Sequence, residues 1–286
     1  GRGRLQTTSW VALEERLRAL DVYFDAMVRG NLGQGPVRKK PPKPNPYPVD
    51  MKEHRSDGLF AKSYRHGAKA WPIWQYVSTD AGVLADTFCE IGINFGHSAV
   101  MWLEANPDAC VYLWELPDNT TWSPYTWIAH RYLKYVYADR LVLIQGDHNR
   151  TVEAFRRAYP DVKCDVISLD GPKDFVGREL DMELFRLLAH ERSLLLLDDS
   201  APEQVVDMSI SRERLLMPTD RVYRDWLTQK KLEVVYVSNL SWAESRRWYV
   251  KMPAGLPNAN PTMGHGTLIA RYAKEEIKKA ALRPSA

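Results

Sequence analysis

The sequence predicts an α/β fold in which a doubly wound, mostly parallel sheet carries helices on both faces. From about residue 81 onward, short continuous apolar runs alternate with amphipathic stretches of helical periodicity. Strands that are apolar throughout are typical of a parallel sheet covered on both sides. In addition, four of the first five runs end in an acidic residue or in Gly-Asp, a pattern that indicates a ligand-binding edge of such a sheet.

The length and charge of the chain narrow the class of protein. Its 286 residues are enough for one sizeable α/β domain with extensions. The net charge is only +3, from 39 basic and 36 acidic residues, so we expect no nucleic-acid partner. No run of 18 apolar residues occurs, so no membrane span is expected in the given chain. Because the chain begins with glycine, an upstream targeting segment is not excluded. The compartment expected by default is the cytoplasm.

The residues before the sheet are expected to form a helix, a linker and a lid. Residues 9–28 place leucines at helical spacing, and the Gly-, Pro- and Lys-rich stretch after them cannot bury a core. Trp71 and Trp74 are candidates for covering a substrate pocket, whereas Trp127 is expected in the aromatic core. The chain is therefore divided into an N-terminal helix and linker (1–50), a lid or capping segment (51–80), the sheet domain (81–273) and a C-terminal tail (274–286).

Seven apolar runs are predicted to be strands, with helices between them. The strand sequences, in order, are DTFCEIG, CVYLWE, RLVLIQGD, KCDVISLD, SLLLLDD, LEVVYVS and HGTLIARY. The helices between the first five strands are predicted over 97–105, 121–137, 150–159 and 174–190, and another is expected near 220–231.

The three cysteines are expected to be small buried apolar side chains. Cys89, Cys110 and Cys164 each fall in a predicted buried strand. An odd number of cysteines without close spacing predicts neither a disulfide framework nor a zinc site.

Carboxylates mark the carboxyl ends of the predicted strands. Glu115 closes the second strand, Asp147 the third and Asp170 the fourth, and Asp198 and Asp199 close the fifth. In open α/β sheets, ligands bind at this edge, near the point where the strand order reverses. Any single aspartate could instead cap a helix, but the whole series favours a binding edge.

A glycine turn follows the first strand, in FCEIGINFGHSAVMWL (88–103). Such a turn brings backbone N–H groups and the positive end of a helix close to a ligand. The turn lacks the second and third glycines of G-x-G-x-x-G, which disfavours a pyrophosphate. Glu90 would repel a phosphate but suits a cationic ligand, and Glu115 stands where an acidic side chain commonly binds ribose hydroxyls. These features together favour S-adenosylmethionine, a cationic nucleoside without a phosphate.

These stretches resemble the class I S-adenosylmethionine-dependent methyltransferases, with motifs closest to those of the metal-dependent catechol and caffeoyl-CoA O-methyltransferases. The glycine turn is similar to their E-x-G-x-x-x-G-x-S motif. SLDGPKDF (168–175) resembles their Asp-x-x-Lys-Asp block after strand four, and LLLLDDS (194–200) resembles their Asp-Asn pair after strand five. The resemblance covers about 81–273. It implies a Rossmann-like, seven-stranded sheet whose last strand is antiparallel, preceded by a helical extension.

The resemblance also implies the residues of the site. The residues expected to bind S-adenosylmethionine are Glu90, Gly92, Asn94, Gly96, Ser98, Glu115, Asp147, His148 and Asp170. Those expected to bind Mg²⁺, or another divalent ion such as Ca²⁺ or Mn²⁺, are Asp170, Asp198 and Asp199. Asp199 replaces the family's asparagine, and the oxygen-only set still suits a hard cation. Lys173 matches the family's general base, although it could instead be an ordinary surface lysine after a strand. In the same way, His148 could be an ordinary loop histidine.

The function expected from this resemblance is metal-assisted transfer of a methyl group to a hydroxyl of a small molecule, such as a catechol or a sugar diol. One rival is a non-catalytic S-adenosylmethionine-binding protein on the same fold, which the Asp199 replacement allows. A second rival is an NAD-dependent oxidoreductase, against which the glycine pattern counts. The partner expected is the small-molecule acceptor, and whether the protein forms a homo-oligomer is left open.

Overall fold

The structure is a computed structural model. It describes residues 85–93, 96–116, 123–215, 217–237 and 266–282, together with residues 12, 13, 15–17, 19, 20 and 23. Within these ranges, the side chains of residues 123–125, 198, 199, 266 and 267 are not described. Asn94, Trp71 and Trp74, together with the whole of the predicted linker and lid, therefore lie outside the described residues.

A seven-stranded sheet with the strand order β3-β2-β1-β4-β5-β7-β6 forms the centre of the molecule. Its strands are β1 (Thr87–Ile91), β2 (Cys110–Glu115), β3 (Leu141–Gln145), β4 (Cys164–Leu169), β5 (Ala189–Ser200), β6 (Leu232–Val237) and β7 (Gly266–Tyr272). The pairs among β1 to β5 are parallel, whereas β7 runs antiparallel to both β5 and β6. The predicted fold class is confirmed.

Helices follow the strands as the alternating pattern predicted. They are α1 (His97–Ala105), α2 (Ser123–Tyr137), α3 (His148–Ala158), α4 (Phe175–Phe185), α5 (Pro202–Val206), α6 (Pro218–Thr228) and α7 (Lys274–Ala281). α4 is shorter than predicted because a 3₁₀ turn, Arg186–Leu188, follows it and leads directly into β5. None of the helices in the described ranges is long and apolar enough to cross a membrane.

Two hydrophobic clusters cover the two faces of the sheet. One face packs against α1 and α2, where Trp102 and Leu133 are among the buried residues. The other face packs against α3, α4 and α6, which contribute Phe155, Phe185 and Trp226. The strands are therefore buried on both sides, which explains why their sequences are apolar throughout.

The apolar side chains of the described N-terminal residues pack into the first of these clusters. They are helical, and Leu13, Leu17 and Leu20 are fully buried in it. The ring of Tyr23 lies 5.3 Å from that of Tyr132 on α2. The helical part of the extension therefore packs on the sheet domain.

The C-terminal tail contains a helix that the sequence interpretation missed. α7 packs next to the turn that precedes β5, where the guanidinium of Arg186 pairs with the buried Glu276. Only four residues separate its two buried positions, Glu276 and Ala280, so the apolar pattern is too short to distinguish α7 from a solvated tail.

The expectation for the cysteines is wrong in one respect. Cys89 on β1 and Cys164 on β4 form a disulfide, with their Cα atoms 5.8 Å apart. The two cysteines are 75 residues apart in the chain and meet only because β4 pairs with β1. Cys110 is a free, half-buried thiol at the start of β2.

Trp127 is also placed differently from the expectation. It lies on the outer face of α2 with 43% of its surface exposed, and the guanidinium of Arg131 lies 5.4 Å from the centre of its ring. Its neighbours Ile128 and Ala129 are among the residues that α2 buries.

Candidate functional site

The candidate site lies at the carboxyl ends of β1 and β4, where the strand order reverses. β1 stands between β2 and β4, so a crevice opens at this edge between the connections that leave in opposite directions. The Gly92 N–H donates to the Trp114 carbonyl (2.9 Å), and the Asp170 N–H donates to the Ile91 carbonyl (3.2 Å). The first bond ties the turn after β1 to β2, and the second ties the start of the loop after β4 to the end of β1.

The glycine turn needs both of its glycines. Gly92 and Gly96 have φ values of +90° and +79°, respectively, which residues with a Cβ rarely adopt. A Cβ on Gly92 would also stand 3.0 Å from the Asp170 carbonyl oxygen. Gly96 immediately precedes α1, so the turn presents the positive end of that helix to the crevice. Ser98 lies in the first turn of α1.

Glu90 is buried directly below this turn, with 1% of its surface exposed. The pKa of its carboxyl is raised to about 8, chiefly by burial; hydrogen bonding from Ser98 lowers it, and the nearby negative charge of Asp170 raises it. Among the described residues, the buried Oε2 has no hydrogen-bond partner. Without a ligand, the carboxyl is therefore protonated at neutral pH, and a cationic group beside it would favour ionisation.

Replacing Glu90 with glutamine should stabilise the protein at alkaline pH. The folded-state pKa lies above the ordinary value of 4.5, so the unfolded chain binds fewer protons between 4.5 and about 8, and stability falls as the pH rises through this window. The fall is on the order of a few kcal/mol. In thermal unfolding, the Tm of Glu90→Gln should increasingly exceed that of the wild type from pH about 5 to about 8.

The exposed Glu179 on α4 provides the matched control, Glu179→Gln. Its Tm should follow that of the wild type at every pH. A Tm difference between Glu90→Gln and the wild type that does not change with pH would show that Glu90 ionises at its ordinary value.

Glu115 lies beside the glycine turn at the end of β2. Its carboxylate accepts hydrogen bonds from the N–H groups of Ile93 and Leu116, both at 3.0 Å. Its carbonyl accepts from the Gly146 N–H (2.9 Å), which brings the loop after β3 to the same place. A contact of Glu115 with the hydroxyls of a bound nucleoside stays a prediction.

Replacing Glu115 with alanine should weaken binding of S-adenosylhomocysteine. Loss of a charged hydrogen bond costs about 1.5–3 kcal/mol, or roughly a 10- to 150-fold increase in Kd. Glu115→Gln should lose less, because its amide oxygen can still accept from the Ile93 N–H. Calorimetric titration measures all three affinities, and an alanine variant that binds as tightly as the wild type would remove Glu115 from the site.

Asp147 and His148, the residues predicted near adenine, have other contacts in the structure. Asp147 is the N-cap of α3, and its side chain accepts from the Asn149 N–H. His148 is buried, and its Nε2 lies 2.8 Å from the Oδ1 of Asp181 on α4. Their role toward adenine stays a prediction.

Asp170 and Lys173 lie together in the loop after β4. The Lys173 Nζ contacts the Asp170 carboxylate and lies 3.3 Å from the Asp170 carbonyl oxygen. With 39% of its side chain exposed, Lys173 is partly open to solvent, and the pair stands at the edge of the crevice.

Asp198 and Asp199 fall in a bulge of β5. Leu197 pairs with Leu268 and Ser200 with Gly266, so these two aspartates stand opposite a single residue of β7. Bulges are frequent next to active sites, where they redirect side chains. Leu197 is also in register with Leu169 on β4, so Asp198 and Asp170 directly follow paired residues on adjacent strands.

Two buried charged residues near the site were not predicted. Arg178 and Asp181 are both fully buried on α4, below the loop that carries Asp170. Their signal in the sequence was a pair of opposite charges at i and i+3 within FVGRELDMELF. The same spacing is common on solvated helix faces, so it did not distinguish them.

Residues 89–200 match the family model described as a methyltransferase domain. No protein with a curated description matches the chain.

Similar folds occur among solved structures. An O-methyltransferase from Bacillus cereus, in complex with SAH, is 11% identical over 92% of this chain and 91% of its own, with a TM-score of 0.48. TomG, an O-methyltransferase from Streptomyces achromogenes in complex with SAM, is 14% identical over 91% and 98%, with a TM-score of 0.49. The SAH-bound methyltransferase PaMTH1 of Podospora anserina is 16% identical over 82% and 100%, with a TM-score of 0.46.

The family match covers the strands and turns that build the site, from Cys89 on β1 to Ser200 at the end of β5. It agrees with the motifs at Gly92 and Asp170 and with the sheet order at whose reversal they lie. Residues 89–200, which build the strands and turns of the candidate site, are therefore similar to a methyltransferase domain.

Proposed function

We propose that this protein transfers the methyl group of S-adenosylmethionine to a hydroxyl oxygen of a small molecule. The observation that carries the proposal is the pair formed by Lys173 and Asp170 at the mouth of the crevice, beside the glycine turn. The pair supports the proposal because an amine at this position, once neutral, could accept the proton of an acceptor hydroxyl.

The cofactor would lie across the glycine turn. Glu115 would accept hydrogen bonds from the ribose hydroxyls, and the buried Glu90 would face the positively charged methionine end. Backbone N–H groups at the start of α1, between Gly96 and Ser98, would bind its carboxylate. Asn94, Asp147 and His148 are proposed for the remaining contacts with the cofactor.

The positions of three aspartates fit a divalent cation. Adjacent strands lie about 4.8 Å apart, so residues that directly follow the paired Leu169 and Leu197 can share one ion. Asp170, Asp198 and Asp199 would supply carboxylate oxygens, the ligands that Mg²⁺ and Ca²⁺ prefer. Among the side chains that the structure describes, no group of three or more histidine, cysteine, aspartate and glutamate residues could hold a metal ion. The side chains of Asp198 and Asp199 are not among those described. When bound, the ion would supply positive charge next to the acceptor oxygens.

In the proposed reaction, the acceptor oxygen forms a bond to the methyl carbon while the carbon–sulfur bond breaks. The sulfonium becomes the neutral thioether of S-adenosylhomocysteine, and Lys173 takes the hydroxyl proton. For this step the Lys173 amine must first be neutral. The negative charge of Asp170 favours the protonated form of the amine. A cation bound to the Asp170 carboxylate would weaken that effect.

The proposed acceptor has two neighbouring oxygens, as in a catechol or a sugar diol. The test is incubation with S-adenosylmethionine labelled in its methyl group, Mg²⁺ and a panel of such acceptors, followed by mass spectrometry. The expected result is label on an acceptor oxygen. Binding of the cofactor without transfer to any hydroxyl of the panel would favour the non-catalytic alternative.

A further inference from the structure

α4 carries a buried charged network directly below the loop that holds Asp170 and Lys173. Arg178 and Asp181 are each 0% exposed, and the ring of His148 contacts Asp181 from the start of α3. The His148 Nε2 lies 2.8 Å from the Asp181 Oδ1, and the Arg178 Nη1 lies 3.9 Å from the Asp181 Oδ2. Neither Asp181 oxygen makes a hydrogen bond among the described residues, so Asp181 is held to Arg178 by the attraction between buried opposite charges.

The network touches the backbone just before Asp170. The Arg178 Nη1 donates to the Leu169 carbonyl, at the last residue of β4. A charge-assisted bond to a buried carbonyl is among the stronger hydrogen bonds. It therefore fixes the direction in which the chain leaves the strand.

The network also restricts the conformation of the loop between β4 and α4, residues 170–174. A Cβ on Gly171 would stand 2.9 Å from the Asp181 Oδ2 and 2.7 Å from the Ile91 Cδ1. The loop thus packs against the Asp181 carboxylate without space for a side chain at Gly171. It is closed at its other end by Asp174, which caps α4 through the Gly177 N–H.

We propose that Asp181, Arg178 and His148 form a positioning network that sets the conformation of residues 170–174. Because His148 starts α3 directly after the loop that follows β3, the network joins the cofactor side of the crevice to the acceptor side. Asp181 and Arg178 touch no reacting atom and act through Asp170 and Lys173. Their role in catalysis rests on the proposed function, whereas their effect on the loop does not.

The principal variant is Asp181→Asn, which keeps the size of the side chain and removes its charge. Its matched control is Glu276→Gln, which breaks the buried pair between Glu276 and Arg186. That pair lies at the opposite edge of the sheet, beside the turn that precedes β5. Both variants remove the carboxylate charge of a buried ion pair, so the main difference between them is where that pair lies.

Hydrogen–deuterium exchange measures the effect on the loop without an acceptor. The Asp170 amide donates to the Ile91 carbonyl and should exchange slowly in the wild type. In Asp181→Asn, exchange across residues 170–174 should be about tenfold faster or more, while β1 and β5 keep their protection. Glu276→Gln should leave residues 170–174 unchanged. Equal acceleration in both variants, or none in Asp181→Asn, would overturn the proposal.

Arg178→Lys provides a second variant should Asp181→Asn fail to fold. It keeps the positive charge but cannot offer the planar guanidinium, so faster exchange confined to the same loop is expected again. Protection equal to that of the wild type would contradict the proposal.

A double-mutant cycle then links the network to the reaction, with the acceptor that the labelled-methyl screen identifies. Asp181→Asn should lower kcat about 10- to 100-fold while the Kd of S-adenosylhomocysteine changes less than about threefold. In a Lys173→Ala background, Asp181→Asn should cause little further loss, because it acts through the same loop. If the fold-reductions in kcat of the two single variants instead multiply in the double variant, Asp181 acts independently of Lys173 and its role is merely structural. Faster loop exchange in a protein that methylates no acceptor would sink the proposed function and leave the network standing.

Discussion

Replacing Lys173 with alanine should lower the rate of methyl transfer by about 10²–10⁴-fold, the usual effect of removing a general base. The affinity for S-adenosylhomocysteine should stay close to that of the wild type, because the amine contacts Asp170 at the mouth of the crevice and is proposed to face the acceptor. Single-turnover kinetics with labelled cofactor measures the first quantity, and calorimetry measures the second.

Two further observations would identify the base. Lys173→Arg should also fail, because a guanidinium stays protonated near neutral pH. Raising the pH should partly restore the alanine variant, since more of the acceptor then loses its proton unaided. The matched control is Lys163→Ala, which removes a lysine immediately before β4, away from the crevice, whose amine donates to the Leu187 carbonyl. Near-normal turnover by Lys173→Ala at neutral pH would make Lys173 a surface residue.

Removing the proposed cation should have the next largest effect. A chelator should abolish methyl transfer, and added Mg²⁺ should restore it. Asp170→Ala and Asp198→Ala should each lose about 10²–10³-fold in rate, since cation stabilisation of a developing negative charge contributes several kcal/mol. The exposed Asp161, before β4, gives the control variant Asp161→Ala.

The folded state of each aspartate variant should be checked by circular dichroism, and metal binding by calorimetry with Mg²⁺ alone. Full activity in excess chelator would contradict the metal site and leave a metal-free methyltransferase. In that case Asp170 would act chiefly through its contact with Lys173.

The features that the sequence predicted well are local ones. The glycine turn was readable because Gly92 and Gly96 stand between an apolar run and a helical pattern, and their positive φ values explain why glycine is needed there. The carboxylates at the strand ends were readable because the strands themselves are apolar throughout. Predicting the strands therefore also predicted that Glu115 and Asp170 lie at the same edge of the sheet, at the carboxyl ends of its strands.

The features that escaped prediction depend on which elements become neighbours. The disulfide of Cys89 and Cys164 requires β4 to lie beside β1, and the contact of His148 with Asp181 requires α3 to lie beside α4. No periodicity within either segment encodes these neighbours. Asp147 shows a third case, because one aspartate can cap a helix and also stand at a binding edge, and a sequence pattern does not separate the two roles.

The most direct test of the account is a calorimetric titration of the wild-type protein with S-adenosylhomocysteine and, separately, with NAD. The glycine turn, the buried Glu90 and the carboxylate of Glu115 predict saturable binding of S-adenosylhomocysteine at one site and no binding of NAD. Binding of NAD without binding of S-adenosylhomocysteine would contradict the account.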